Sequence, residues 1–268
     1  MTKRKWRSLI AVLTLLMMTS CSGNAESTPT PGLPGAQMAF TVMSSGGMAP
    51  AVYQALASPS LAIFGDGRVL RAVEAPALQL VPVRYELARI DPAAVASFVA
   101  DVEAGGLISP ETDFGTPRMT DLPSTTVMVH GRGAAAQVRP YAFDERFAAR
   151  LTPEQRGARV ALRTVINTAL ALVNGATFVA HSPDRVAVYE IPTSGAGGPS
   201  APGWPGPPPS AFLTPSTDRR AIACGELVAD PAEVVYRAAL ANPGARWVID
   251  GDTRILAVNS LPLPSDCS

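Results

Sequence analysis

Histidine and cysteine are scarce in this 268-residue chain, which contains two histidines and three cysteines. Histidine is the most common general base in enzymes, and zinc sites require clustered cysteine and histidine. The sequence also has no Gly-x-Ser-x-Gly nucleophile motif and no phosphate-binding glycine loop. We therefore predict no catalytic residue, no metal site and no cofactor, and we expect His130 and His181 to be surface residues.

Basic residues are also few once the first 20 residues are set aside. Lysine occurs only at Lys3 and Lys5, and four of the 22 basic residues lie in residues 1–20, which contain no carboxylate. The rest of the chain carries the other 18, all arginines, against 22 carboxylates, which is a net charge of −4. Nucleic-acid binding requires a clustered basic surface, and the charge pattern offers none. We therefore exclude nucleic acid as a partner.

Residues 1–20 have the pattern of a bacterial export signal. A basic start is followed at residues 9–18 by an apolar run that is too short to span a bilayer, which needs about 20 residues. Residues 18–21 read Met-Thr-Ser-Cys and resemble the lipobox of bacterial lipoproteins. The resemblance implies cleavage before Cys21 and attachment of a diacylglyceryl group to its thiol. The alternative is an ordinary secretory signal with an incidental cysteine.

The signal is followed by a predicted flexible tether at residues 21–37, which is polar and rich in Pro, Gly, Ser and Thr. Lipidation would anchor the protein to the cell membrane on its extracytoplasmic face. Cys224 and Cys267 are the two remaining cysteines, and export would place them where disulfides persist. We predict a disulfide between them, with two free thiols as the alternative.

Alternating apolar residues and turn signals predict a mostly antiparallel sheet with two main helices over residues 38–193. Asp66-Gly67 marks the turn of a hairpin over residues 61–70. Asp91 and Thr152 each precede a proline and an apolar helical stripe, which is typical of a capped helix. Arg159 falls outside the stripe of the second helix, so we expect it to be solvated.

Residues 194–210 contain six prolines and five glycines, a composition that predicts a linker, with an ordered proline-rich crossing as the alternative. Residues 211–268 then predict a small β-α-β-β subdomain, with a helix capped by Asp230. At this size the subdomain requires the disulfide, or packing against the larger body, to be stable. The expected fold class is therefore α+β, with the second part tied by a disulfide.

The most distinctive stretch is Asp-Phe-Gly-Thr-Pro at residues 113–117, together with residues 120–126. With Gly46-Gly47, residues 64–67 and the capped helix after residue 151, it is similar to a group of uncharacterised actinobacterial exported lipoproteins. The resemblance covers about residues 38–173. It implies an extracytoplasmic location and an α+β body, and it brings no activity with it.

These patterns together predict a lipid-anchored, non-enzymatic binding or accessory module of the cell envelope. Its partners would be the bilayer, through acylated Cys21, and an envelope protein or an apolar ligand. One alternative is a carrier of lipid or another apolar ligand, which the apolar fraction of 47% permits. The other is an envelope hydrolase, which requires His130 or His181 beside an acid and a nucleophile in one pocket.

Replacement of the lipidated cysteine tests the anchor. We expect Cys21→Ala to abolish lipidation because the thiol is the acyl acceptor. The variant should accumulate as an uncleaved precursor or leave the detergent phase in Triton X-114 partitioning. A variant that partitions like the wild type and is cut at the same bond would show that the lipobox interpretation is wrong.

Overall fold

The structure, a computed structural model, describes residues 32–50, 53–54, 56–74, 80–192, 201–214 and 222–261. Two antiparallel sheets and three α-helices form in these residues, so the α+β prediction is confirmed. Cys21 and Cys267 lie outside the described residues. The lipid anchor and the disulfide therefore stay predictions.

The first sheet has seven antiparallel strands in the order β6-β5-β1-β2-β3-β4-β7. The strands are β1 (Met38–Gly46), β2 (Leu61–Phe64), β3 (Arg68–Glu74), β4 (Arg84–Arg89), β5 (Pro123–Val129), β6 (Ala136–Val138) and β7 (Val179–Ala180). The predicted hairpin is confirmed as β2–β3, and Gly67 adopts a φ of 82° in its turn. Such a positive φ favours glycine over residues that carry a Cβ.

Two helices cover one face of this sheet, α1 (Pro92–Ala104) and α2 (Pro153–Leu172). Both predicted caps are confirmed. The Asp91 side chain accepts a hydrogen bond from the backbone of Ala93 at 2.9 Å, and Thr152 forms a reciprocal capping box with Gln155. The helices and the sheet share one apolar core, whose fully buried members include Phe40, Ile63, Val95 and Leu162.

Arg159 of α2 lies in the protein interior, so the expectation that it is solvated is wrong. Its side chain is 0% exposed. The guanidinium donates hydrogen bonds to four backbone carbonyls, those of Phe114 at 2.7 Å, Gly115 at 3.0 Å, Tyr141 at 2.8 Å and Ala142 at 2.7 Å. A buried cation requires such partners to offset its lost hydration. One side chain therefore holds two separate loops against α2.

The distinctive stretch at residues 113–117 has a structural role at the same place. The Asp113 carboxylate accepts hydrogen bonds from the Gly115 backbone at 2.8 Å and from the Gln155 side-chain amide at 2.9 Å. Gly115 has a φ of 64°, and a Cβ there would lie 2.6 Å from the Gln155 side chain. The Asp-Phe-Gly sequence thus fits this loop closely against the start of α2.

The second sheet has the strand order β10-β11-β8-β9. Its elements are β8 (Arg185–Ile191), β9 (Ala223–Val228), α3 (Asp230–Leu240), β10 (Arg246–Ile249) and β11 (Asp252–Asn259). The predicted β-α-β-β order appears as β9-α3-β10-β11. The strand β8, which precedes the proline-rich segment, pairs between β11 and β9. A boundary at residue 193 therefore does not separate the two sheets.

The predicted cap of α3 is wrong by one position. Asp230 is the first helical residue, and the N-cap is Ala229, which has a φ of 56° and no side-chain cap. The backbone amide of Ala229 donates instead to the carbonyl of Asp184 at 2.7 Å. Asp230 and Glu233 in the first turn still place negative charge beside the positive end of the helix dipole.

Residues 201–214 pair with both edge strands of the second sheet. The amide of Val248 in β10 donates to Pro202, and the amide of Trp204 donates back to Val248. At the opposite edge, Thr214 forms a bridge to β9. Edge strands with unpaired backbone groups are prone to join other chains, and this segment covers part of each edge.

The same segment contributes aromatic side chains to the second core. The Trp204 ring lies edge-on to Trp247 with centroids 5.2 Å apart and is stacked with Phe212 at 6.4 Å. Of the two alternatives for residues 194–210, the ordered proline-rich crossing therefore describes residues 201–210, which are packed against the subdomain. Residues 193–200 lie outside the described residues.

The two sheets meet at the face of the first sheet that α1 and α2 leave uncovered. After β11 the chain returns to this face, where Leu261 packs in a cluster with Phe64, Leu70 and Tyr85. Polar bonds reinforce the return. The Ser260 hydroxyl donates to the carbonyl of Val83 at 2.5 Å, and the Ser58 hydroxyl donates to the side-chain oxygen of Asn259 at 2.8 Å.

Replacement of the buried Arg159 tests this fold. We expect Arg159→Met to lower the free energy of unfolding by about 3 kcal/mol or more, because it leaves four carbonyls without their donor. Arg163→Met is the matched control, since Arg163 is on the same helix and makes one long bond of 3.5 Å to Phe143. The control should lose less than about 1 kcal/mol.

Urea unfolding followed by circular dichroism measures both arginine variants. Equal losses in the two variants would contradict the assigned role of Arg159.

Candidate functional site

A cleft of about 750 Å³ opens on the face of the first sheet that the helices do not cover. Small-molecule sites commonly occupy about 300–1,000 Å³. Its walls come from β1 to β6, from residues 181–184 between β7 and β8, from Arg185 at the start of β8, and from residues 260–261 after β11. The cleft is therefore built by segments that are far apart in the sequence.

Strand alternation decides which side chains enter the cleft. Neighbouring residues of a strand point to opposite faces of the sheet. In β3, Val69 belongs to the helix-covered core, whereas Arg68 and Leu70 line the cleft. At the end of β5, Val129 is in the core, and the residues on either side of it, Met128 and His130, line the cleft.

The cleft has an apolar floor and a polar rim. We define the floor as Met38, Phe64, Leu70, Leu87 and Leu261, which belong to one apolar cluster or pack against it. We define the rim as Arg68, His130, Gln137, His181, Asp184 and Arg185. Most ligand sites combine an apolar lining with a few polar groups in this way.

Arg68 connects the floor to the rim. Its guanidinium lies 4.5 Å from the centroid of the Phe64 ring, and its Nε donates to the Asp66 carboxylate at 2.7 Å. Burial acts to raise the pKa of Asp66, but the hydrogen bonds and charge of Arg68 outweigh it, so that pKa lies below its usual value. Within the described part of the chain, the two terminal nitrogens of Arg68 have no hydrogen-bond partner.

Both histidines of the chain line this one cleft, where they are half-buried instead of fully exposed. The backbone amide of His181 donates to the carbonyl of Tyr85 at 2.9 Å, which fixes its position beside β4. Burial lowers the pKa of His181, an effect that Asp184 opposes and Arg68 reinforces. His181 therefore holds a proton less readily than a solvated histidine.

A nucleophile suited to these histidines is missing from the residues that line the cleft. Ser260 is the only hydroxyl side chain among them, and it is 3% exposed. Its hydroxyl donates to the Val83 carbonyl, whereas a serine nucleophile donates to its general base. Over the described residues, no group of three or more His, Cys, Asp or Glu side chains could hold a metal ion.

The cysteines to which the sequence assigned a role do not help to define this site, because Cys224 lies away from the cleft and Cys21 is outside the described residues. Cys224 is half-buried in β9, opposite Tyr189 of β8, and its predicted disulfide partner is Cys267, which is not among the described residues. Cys224, the one cysteine among the described residues, does not line the cleft. The sequence did carry one usable signal for the site. Met128 and His130 alternate with the buried valines of β5, so they belong to the opposite face of the sheet.

No protein-family model, curated protein or solved structure matches this chain. Across the described ranges, no helix combines the length and the apolar character needed to cross a bilayer.

The position of His181 leads to a prediction for the pH dependence of stability. Its pKa in the folded protein lies below the ordinary value of 6.5, so the unfolded chain binds the proton more readily. The stability that depends on a neutral His181 is therefore complete above about pH 6.5 and is lost as the pH falls below that value. We expect His181→Gln to reduce the loss of stability between about pH 7 and pH 5.

Thermal unfolding at several pH values measures this effect. His130→Gln is the matched control, because it removes the other histidine of the cleft and leaves His181 in place. A decline with pH that is the same in wild type and His181→Gln would contradict the assignment.

Proposed function

We propose that the mature chain is a lipid-anchored binding module on the extracytoplasmic face of the cell membrane, and that the cleft is its binding site. The observation that carries this proposal is the combination of an apolar floor with a rim of hydrogen-bonding groups in a cleft of about 750 Å³. The proposed anchor is the acylated Cys21, which the lipobox-like sequence supports.

The arrangement of hydroxyl groups favours binding over hydrolysis. A nucleophilic mechanism requires a serine, threonine or cysteine within hydrogen-bond reach of a base. In the cleft, Ser260 is buried and its hydroxyl is directed to a carbonyl instead. The two histidines thus have an acid, Asp184, in the same cleft, but no hydroxyl or thiol that is available to them among the lining residues.

The apolar floor favours a second candidate, a carrier of an apolar ligand. Phe64, Leu70 and Leu261 are buried in the apolar cluster that forms the floor. An apolar group that covers this floor gains about 25 cal/mol for each Å² removed from water. A protein partner would insert a side chain there, whereas a carried ligand would insert an acyl chain or a similar group.

The disulfide between Cys224 and Cys267 remains part of this proposal. It would tie the segment after Leu261 to the second sheet through β9. Because Ser260 and Leu261 form one wall of the cleft, the bond would also hold that wall in place. Removal of a native disulfide from a small exported domain typically costs about 2–5 kcal/mol.

Photo-crosslinking in intact cells tests the proposed site. A photoreactive phenylalanine derivative at position 137 would replace an exposed residue on the rim of the cleft. The control position is Val160, which is 55% exposed on α2, a helix that covers the opposite face of the sheet. Both variants keep the full lipidated chain.

We expect adducts at position 137 that are absent at position 160. A protein adduct supports the accessory module, and a small apolar mass supports the carrier. Equal adducts at the two positions, or none at position 137, would contradict the assignment of the cleft as the binding site.

A further inference from the structure

We infer that the cleft binds a single-chain amphiphile with an anionic headgroup, with its apolar chain on the floor and its headgroup at the rim near Arg68. This inference rests on the proposed function and adds the chemical class of the ligand. Its basis is the distribution of hydrogen-bond donors, acceptors and apolar side chains around one cleft.

The floor is suited to an alkyl chain. All five of its side chains are apolar, and Met38 and Leu87 flank the buried residues of the cluster. The sheet face continues from β4 across to β6, where Gln137 lines the cleft opposite Met128 of β5. A chain lying across these strands would replace water along the apolar surface, which is the main source of affinity for such ligands.

The rim is rich in donors and poor in acceptors. Arg68 and Arg185 contribute guanidinium groups, and His130 and His181 contribute imidazoles, whereas Asp184 is the only carboxylate among the lining residues. A guanidinium donates in pairs to carboxylate, phosphate or sulfonate oxygens. An anionic headgroup fits this rim better than a cationic one.

The carboxylates that accompany the two arginines do not line the cleft. Asp66 binds Arg68 through Nε at 2.7 Å and leaves the terminal nitrogens of that guanidinium for another acceptor. Glu226 of β9 lies 3.6 Å from Arg185, a distance typical of a loose ion pair. Neither carboxylate is a lining residue, so an anion in the cleft meets the terminal nitrogens of Arg68 without a carboxylate between them.

The same strand offers a matched control for Arg68. Arg71 also pairs with a carboxylate, Glu86 at 2.8 Å, and also lies over an aromatic ring, Phe178 at 3.8 Å. Arg71 is three positions after Arg68, an odd offset, so the two side chains lie on opposite sides of β3. Arg68→Gln and Arg71→Gln therefore remove equivalent interactions from the two faces of one strand.

Calorimetric titration with three decyl amphiphiles of different headgroup charge tests the inference. The protein is the mature polypeptide from residue 22, secreted behind an ordinary secretory signal so that it carries no acyl chain of its own. The probes are decanesulfonate, decanol and decyltrimethylammonium below their micelle concentrations, and methanesulfonate represents the headgroup alone. We expect decanesulfonate to bind about tenfold more tightly than decanol, which matches a single charge-assisted interaction. The cationic probe should bind most weakly.

The variants separate the role of charge from that of the fold. Arg68→Gln should abolish the preference for decanesulfonate while decanol still binds, and Arg71→Gln should keep the preference. Gln137 is exposed, so Gln137→Lys and Gln137→Glu alter the charge of the rim with little risk to folding. The lysine variant should strengthen decanesulfonate binding, and the glutamate variant should weaken it.

The outcomes distinguish this inference from the proposed function. Equal affinity for all three decyl probes, or equal effects of Arg68→Gln and Arg71→Gln, overturns the anionic preference and leaves a general apolar site. If methanesulfonate binds as tightly as decanesulfonate, the inference that the ligand needs an apolar chain is overturned. Failure of every probe to bind overturns the amphiphile as the ligand and leaves the cleft to a protein partner, which the crosslinking at position 137 tests separately.

Discussion

A seven-stranded sheet has two faces to cover, and in the described residues α1 and α2 both pack on the same one. The second face depends on segments that were not expected to serve it, namely residues 181–185 and residues 260–261. They cover only part of that face. The uncovered part is the cleft, so the site exists because no helix of the described ranges packs on that face.

Local features of the fold were predictable from the sequence because they depend on neighbouring residues. The turn at Gly67 and the caps at Asp91 and Thr152 each follow from backbone geometry over three or four positions. The strands of the first sheet follow from alternation of apolar residues in the same way. Even here the prediction at Asp230 was wrong, because a long-range bond from Ala229 to Asp184 sets the start of α3.

Features that depend on distant residues were not predictable. Arg159 looks like a surface residue within its own helix, and only the carbonyls of two loops, 17 and 45 residues away, make its burial favourable. The histidines are similar, since His130 and His181 are brought into one cleft by the pairing of strands from separate parts of the chain. The packing of residues 201–214 depends on Trp247, which follows them by more than 30 residues. Composition alone favours a linker there.

The return of the chain from β11 to the first sheet also orders the events of folding. The bond between Ser58 and Asn259 joins residues 201 positions apart, and that between Val83 and Ser260 joins residues 177 apart. Contacts over such separations form slowly because a long loop has to close first. The hairpin of β2 and β3 joins much nearer residues, so the second face of the first sheet is covered late in folding. The apolar surface of that face is open to membranes and to aggregation until residues 260–261 pack against it.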